Sequence, residues 1–253
     1  MSLVVACLAR NEADRFWRSA LEAWSAFADR IVVLDDDSDD ERQAYIAEEV
    51  CGDKLFYFFR NARSTAWGQE SPARAKLWEL AEELSEPGDY IFVLDADMTP
   101  ARDPRPLLQA EPAAVAFPLY DLWDTRVALR PWYRSDYFWQ GHRHPRIWLV
   151  RRPDQSPEGG WSWNERGIHC GHLPSNLAYD PARVVVAPRE YALLHYAYSS
   201  PALRQAKAAR YEAVADKLTD FERAHARSIL DPDPPIFPLP FTPELVLQLA
   251  TLP

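Results

Sequence analysis

The chain has 253 residues, is 47% hydrophobic and carries a formal net charge of −10. That is enough apolar material for a substantial core and excludes a largely disordered chain. The acidic balance argues against a broad nucleic-acid surface, which needs clustered Lys and Arg, but leaves room for a local basic pocket. Cys7, Cys51 and Cys170 form neither a disulfide framework nor a metal spacing, which fits a reducing compartment. No apolar run reaches about 18 residues, so no membrane-spanning helix is expected. Residues 1–9 lack the basic start of a signal peptide, and a cytoplasmic protein is the expectation.

Residues 3–8 read as a buried strand. Residues 11–27 read as a helix, with Phe16, Ala20, Leu21, Trp24 and Phe27 on one stripe. Residues 31–34 are a second strand, running into the acidic loop 35–40, and residues 55–59 are a third. Ser71 as N-cap and Pro72 at the first helical position open another helix, facing inward through Leu77, Trp78, Ala81 and Leu84. Glu86-Pro87-Gly88 ends it, and the strand Tyr90-Ile91-Phe92-Val93-Leu94 follows. Residues 114–119 and 146–150 are further strands. Residues 117–163 hold eleven aromatics. A long helix is expected from Ser200-Pro201 to about Ala226, buried through Leu203, Tyr211, Val214, Leu218 and Phe221. Residues 231–243 are too rich in proline for a helix and read as an extended tail, docked or free. The apolar stretch 245–252 could dock on its own domain, on a second subunit or on a membrane surface, which leaves a homodimer open.

Alternating strands and helices over the first hundred residues predict an α/β fold with a doubly wound, mostly parallel sheet. The segments 9–14, 35–40 and 95–99 all follow strands, so they should open at one carboxyl edge, where such sheets bind ligands. Asp95 and Asp97 lie two apart at the end of a strand and can converge on a divalent cation. Acid pairs also cap turns, and alone this one is a weak signal. Asp35, Asp37 and Asp39 mimic the start of an EF-hand loop, but Asp40 stands where Gly is needed and Ile46 where Glu is needed, so that reading fails. The loop is either a solvated acidic turn or a set of acceptors for a nucleobase or ribose.

Several segments jointly resemble a family. Ala9-Arg10-Asn11-Glu12, then Ile31-Val32-Val33-Leu34-Asp35-Asp36-Asp37-Ser38-Asp39-Asp40, then Ser71-Pro72-Ala73-Arg74, then Leu94-Asp95-Ala96-Asp97 are similar, in this order, to the motifs of family 2 glycosyltransferases of the GT-A fold. Residues 145–151, Trp161, Gly167-Ile168-His169 and Leu193-Leu194-His195-Tyr196 are similar to lipopolysaccharide-core-type glucosyltransferases within it. Two departures stand out. Asp37 and Asp39 occupy places usually held by Gly and Thr, and Cys170 stands where a Glu often follows the Ile-His pair.

The resemblance implies a nucleotide-sugar-binding half over residues 1–118, an acceptor half with a closing helix over 119–230, and the tail 231–253. It implies inverting transfer from a nucleotide sugar, with UDP the default, to a hydroxyl on a glycan, a lipid-linked sugar, a protein or modified DNA. Mn²⁺ or Mg²⁺ would neutralise the departing diphosphate. Asp97 is the expected metal ligand, Asp95 a water-mediated ligand or ribose contact, and His195 a third ligand or a core histidine. Ala9, Asn11, Glu12, Asp35 and Asp36 would line the nucleotide pocket, although Glu12 also suits an ordinary first helical turn. Arg74, in a helix's first turn, and Arg204 with Lys207 would grip phosphate, with Arg210 a solvated cation by comparison. Glu165 is the preferred base, ahead of Asp121, Asp124 and Asp136. Trp161, Trp163 and His169 would meet the acceptor, with Trp148 a poorer choice inside a strand; the aromatics equally suit a core. His142 and His144 could ligate metal but read better as surface residues.

Two other functions fit. A sugar nucleotidyltransferase would normally open with a Gly-rich loop, and residues 9–12 contain no glycine. A non-catalytic carbohydrate- or nucleotide-binding protein on a degenerate transferase fold would account for Cys170.

Overall fold

A computed structural model describes residues 1–61, 70–125, 131–164 and 170–248. In chain order the regular elements are β1 (Leu3–Ala9), α1 (Trp17–Ser25), β2 (Arg30–Asp35), α2 (Arg42–Cys51), β3 (Leu55–Arg60), α3 (Ser71–Glu83), β4 (Tyr90–Asp95), β5 (Met98–Pro100), β6 (Ala114–Phe117), β7 (Leu119–Asp124), β8 (Trp132–Arg134), β9 (Arg146–Arg151), β10 (Val184–Val186), β11 (Leu193–His195), α4 (Pro201–Glu212), α5 (Asp220–Ser228) and β12 (Ile236–Pro238), with short 3₁₀ turns between some of them.

The strands build two mixed sheets. The larger runs β10-β6-β9-β4-β1-β2-β3 and the smaller β12-β8-β7-β11-β5. Strands β3, β2, β1 and β4 are parallel, as alternation with helices requires. Strand β9 is antiparallel to both β4 and β6, so the sheet is less purely parallel than its first half suggests. The β1 strand is buried on both faces. Val5 and Cys7 pack with α1, through Leu21 and Trp24, while Val4 and Ala6 pack with α3, through Leu77 and Trp78. This period-two division makes a continuous apolar run the correct signature of an interior strand.

The chain moves from β1 outward to β2 and β3, then returns to β4 on the other side of β1. The order therefore reverses between β1 and β4, and a crevice opens at their carboxyl ends. Ala9–Glu12 and Asp95–Asp97 flank that crevice.

Four boundaries depart from the pattern-based reading. The first helix starts at Trp17, not Asn11, because Asn11 has φ +53° and residues 12–15 form a turn closed by Arg15 N–H to Glu12 C=O at 2.9 Å. The third helix begins one residue early: Ser71 is helical, and Glu70 sits at the cap with no side-chain capping bond. The long C-terminal helix is two helices. Thr219 starts the second with a reciprocal capping box to Glu222, and Leu218 is buried in extended backbone just before it. The proline-rich tail is docked through residue 248. Strand β12 pairs with β8, Leu239 and Leu247 enter the main core, and the Leu247 N–H donates to the Tyr196 hydroxyl at 3.1 Å. Among the described residues, no helix is long and apolar enough to cross a membrane.

Candidate active site

One cleft of about 930 Å³ opens over the switch point between β1 and β4. Its walls come from residues 8–12, the start of α3, the end of β4, and a facing side that includes Asp121, Trp139, Trp148, residues 170–172, His195, Tyr198 and α4 with α5.

The β1 edge is fixed by local hydrogen bonding. Asn11 takes the left-handed conformation that asparagine tolerates. Its side-chain oxygen accepts from the Asp39 N–H, and its amide donates to the Asp39 carboxylate, both at 2.9 Å. Ala9 is buried beneath. Asp35 accepts from the Ser38 N–H at 2.9 Å, so it closes the acidic turn and does not line the cleft. Asp36 does line it, accepting from the Asn61 amide at 3.0 Å. The acidic loop is thus an organised turn that leaves one carboxylate facing the cleft.

Glu12 lies beside that wall. Its burial pushes the carboxyl up to about 7, with the nearby Asp97 charge adding to the rise, against the opposing pull of Arg15, whose guanidinium is 3.0 Å away. Such a shift is what a carboxyl in a desolvated cleft shows.

Asp95 and Asp97 do different work. Asp95 accepts from Arg74 Nη2 at 2.9 Å through one oxygen and pairs with His172 Nε2 at 3.0 Å through the other. Burial raises its proton affinity, but His172 and Arg74 outweigh that and hold the carboxyl well below its ordinary range. Both of its oxygens are therefore engaged, which disfavours direct metal ligation; the water-mediated or ribose contact expected for it is a separate matter. Asp97 instead faces His195, with Oδ1 3.6 Å from Nε2. The other imidazole nitrogen, Nδ1, lies 2.7 Å from Asp121 Oδ1. A carboxylate only accepts, so the ring proton sits on Nδ1 and Nε2 turns towards Asp97. Burial alone would lower the proton affinity of His195; the charges of Asp97 and Asp121 raise it above the ordinary value.

Among the described residues, no three or more His, Cys, Asp or Glu side chains are arranged to hold a metal ion. The donor chemistry at Asp97 and His195 nevertheless suits a divalent cation. One carboxylate and one imidazole nitrogen point together, and a second carboxylate fixes the ring's tautomer, as is usual behind metal-binding histidines. Oxygens of a ligand or water would complete the shell.

The basic residues divide in the same way. Lys207 and Arg210 line the cleft. Arg204 does not: it donates to the Trp123 and Tyr198 carbonyls at 2.9 and 2.7 Å and lies over the Trp123 ring. The expected contrast between Arg204 and Arg210 is reversed: the two lie six residues apart, which turns them about 120° from each other around α4. Arg74 is buried in the cleft wall, and its Nε and Nη1 have no hydrogen-bond partner among the described residues.

Trp161 and Trp163, expected to meet the acceptor, do not line the cleft. Trp161 packs edge-on against Trp78 and donates to Glu82 at 2.6 Å. Trp163 is buried beside the α3 face of the sheet. Glu165 and His169 lie outside the described residues. Of the other base candidates, Asp121 holds His195, and Asp136 is held by Arg134 at 2.6 Å. His142 packs against Tyr120 and Tyr133, and His144 reaches only Gln140. Trp148 and Trp139 line the cleft instead, and Trp148 lies 4.0 Å from the His172 ring, centroid to centroid. His172 carried no signal by itself. Gly171 stands immediately before it at φ +89°, a conformation that favours glycine.

No protein-family model matches the chain, and no curated protein matches it. Solved structures similar to it include HddC from Yersinia pseudotuberculosis, at 10% identity and TM-score 0.41, covering 87% of this chain and 100% of that one. Mannose-6-phosphate isomerase from Helicobacter pylori is similar at 11% identity and TM-score 0.32, covering 60% and 62%. The chemistry of the cleft is therefore read from its own residues.

Proposed function

We propose that the protein is a metal-dependent glycosyltransferase of the GT-A type, moving a sugar from a nucleotide-sugar donor, with UDP-sugars foremost, to an acceptor hydroxyl. One observation supports this above the others: Asp97 and His195 face each other at the sheet's carboxyl edge, with Asp121 behind the imidazole. Asp97 and His195 would hold Mn²⁺ or Mg²⁺, which when bound supplies Lewis-acid neutralisation of a diphosphate.

The chain's own residues supply the rest. Lys207 and Arg210 bring positive charge to the same cleft and suit the diphosphate oxygens. Asp36 and the β1 edge at Asn11 form the wall for base and ribose, where carboxylate and backbone accept hydrogen bonds from N–H and O–H groups. Arg74, Asp95 and His172 form a hydrogen-bonded row beside the place the sugar would occupy. The Arg74 donors that no described residue pairs favour a ligand with oxygen acceptors. Aromatic walls at Trp139 and Trp148 exclude water around the reacting carbon.

The test is calorimetric titration of UDP and GDP, with Mn²⁺ and then with EDTA, on the wild type and on Asp97→Asn. Binding that needs metal and is lost in the variant is expected. Equal affinity with and without EDTA would oppose the proposal.

A further inference from the structure

A run of rings connects the candidate metal site to the surface. His195 meets Tyr198 at 5.3 Å, Tyr198 meets Trp139 at 4.6 Å, and Trp139 meets His225 at 4.7 Å, all as centroid separations. From there Phe138 lies 6.2 Å from His225 and 5.4 Å from Phe221, and Tyr137 lies 6.4 Å from Phe221. Burial changes steeply along it. Trp139 is 2% exposed, whereas Phe221 is 58% and Tyr137 74% exposed. Phe138 and Phe221 also line the cleft that holds Asp97. The exposed Phe221 ring at the cleft, with the exposed Tyr137 ring beside it, is not explained by the core, since helix α5, which carries Phe221, buries none of its own residues.

The geometry points to an acceptor subsite on Tyr137, Phe138 and Phe221 for an uncharged glycan. This assignment rests on the transferase reading of the cleft and names its second substrate. Exposed aromatic faces stack on the C–H face of a pyranose, and the polar groups of Glu222 and His225 beside them in the cleft meet its hydroxyls. Charge selects against the other ring-bearing polymer, a nucleic acid. Residues 212–222 carry Glu212, Asp216, Asp220 and Glu222 against Lys217 alone. The next cation, Arg223, is tied to Asp220 at 2.7 Å. A phosphodiester backbone following these rings would run along an acidic rim, where binding single strands calls for a basic groove.

The test titrates the full chain with cellotriose, maltotriose and chitotriose, and separately with a short oligothymidylate, each with UDP and Mn²⁺ present. At least one neutral trisaccharide should bind. Phe221→Ala should weaken it about tenfold, the loss of one ring stack, while Phe221→Trp should keep it. Thermal melting of both variants should match the wild type, because the side chain is exposed. If no trisaccharide binds, if Phe221→Ala leaves its affinity unchanged, or if the oligothymidylate binds through Phe221, the assignment is overturned. So it is if sedimentation shows a dimer that Phe221→Ala dissociates. Metal-dependent UDP binding by the wild type is read independently, so failure of the subsite and failure of the transferase reading are told apart.

Discussion

Glu12→Gln offers a quantitative check on the electrostatics of the cleft. Glu12 is 8% exposed, and its carboxyl is pushed from 4.5 to about 7 by burial, with Arg15 only partly offsetting it. A folded-state value above the unfolded one means that the folded protein binds more protons between those two pH values. Stability from this group is therefore fully present below pH 4.5 and falls as pH rises to about 7. The shift corresponds to about 3 kcal/mol at and above neutral pH. Glutamine keeps the shape and cannot ionise. Wild type and variant should be close in stability at pH 4, and the variant should lead by about 3 kcal/mol at pH 8. Urea unfolding at a series of pH values measures this directly, since the midpoint moves while the slope stays constant. A stability difference that does not change from pH 4 to pH 8 would refute the reasoning and place Glu12 in contact with water.

Other perturbations follow from the same contacts. Arg74→Ala strips the buried cation from Asp95 and Glu70 and should destabilise by about 3–5 kcal/mol in urea unfolding, with Arg74→Lys recovering part of it. Asp121→Asn removes the carboxylate that fixes the His195 tautomer. It should weaken metal-dependent nucleotide binding roughly 10–100-fold by calorimetry while Mn²⁺-free melting changes far less. Leu239→Ala should cost about 2–5 kcal/mol, because this residue of the proline-rich tail is fully buried; a neutral effect would mean the tail is not part of the core. Thr219→Ala breaks the capping box of α5 and should cost about 1 kcal/mol, seen as a lower melting temperature.

The β1–α1–β2 and α3–β4 units were legible because their residues serve one purpose each. Buried strands need continuous apolar runs, and the helix stripes Phe16/Ala20/Leu21/Trp24 and Leu77/Trp78/Ala81 are all buried as the spacing requires. The cleft's position was legible for the same reason, since Asp95 ends a strand beside β1 and Asp97 follows two residues on. In the second half β6, β9 and the start of α4 were legible as well, but the smaller sheet was not, because its structure depends on distant partners. Strand β11 pairs with β5 and β7, and β8 pairs with β12 from the tail. No local spacing encodes those pairings. The tryptophans show the same limit. Trp161 was expected at the acceptor and Trp148 inside a strand, yet a tilted 4.0 Å contact with His172 puts Trp148 at the cleft and a bond to Glu82 holds Trp161 against α3. The two carboxylates of the Asp-x-Asp motif were told apart in the sequence only through the family resemblance. Only Arg74 and His172 reveal that Asp95 is engaged on both oxygens while Asp97 faces the imidazole.

The most direct measurement of the central claim is UDP affinity by calorimetry, with saturating Mn²⁺ and with EDTA, in the wild type, Asp97→Asn and His195→Gln. The account predicts micromolar-range binding that needs the metal and is lost in both variants. Binding that ignores EDTA and survives both substitutions would contradict it, because Asp97 and His195 would then be a structural ion pair in a cleft that takes nucleotide some other way.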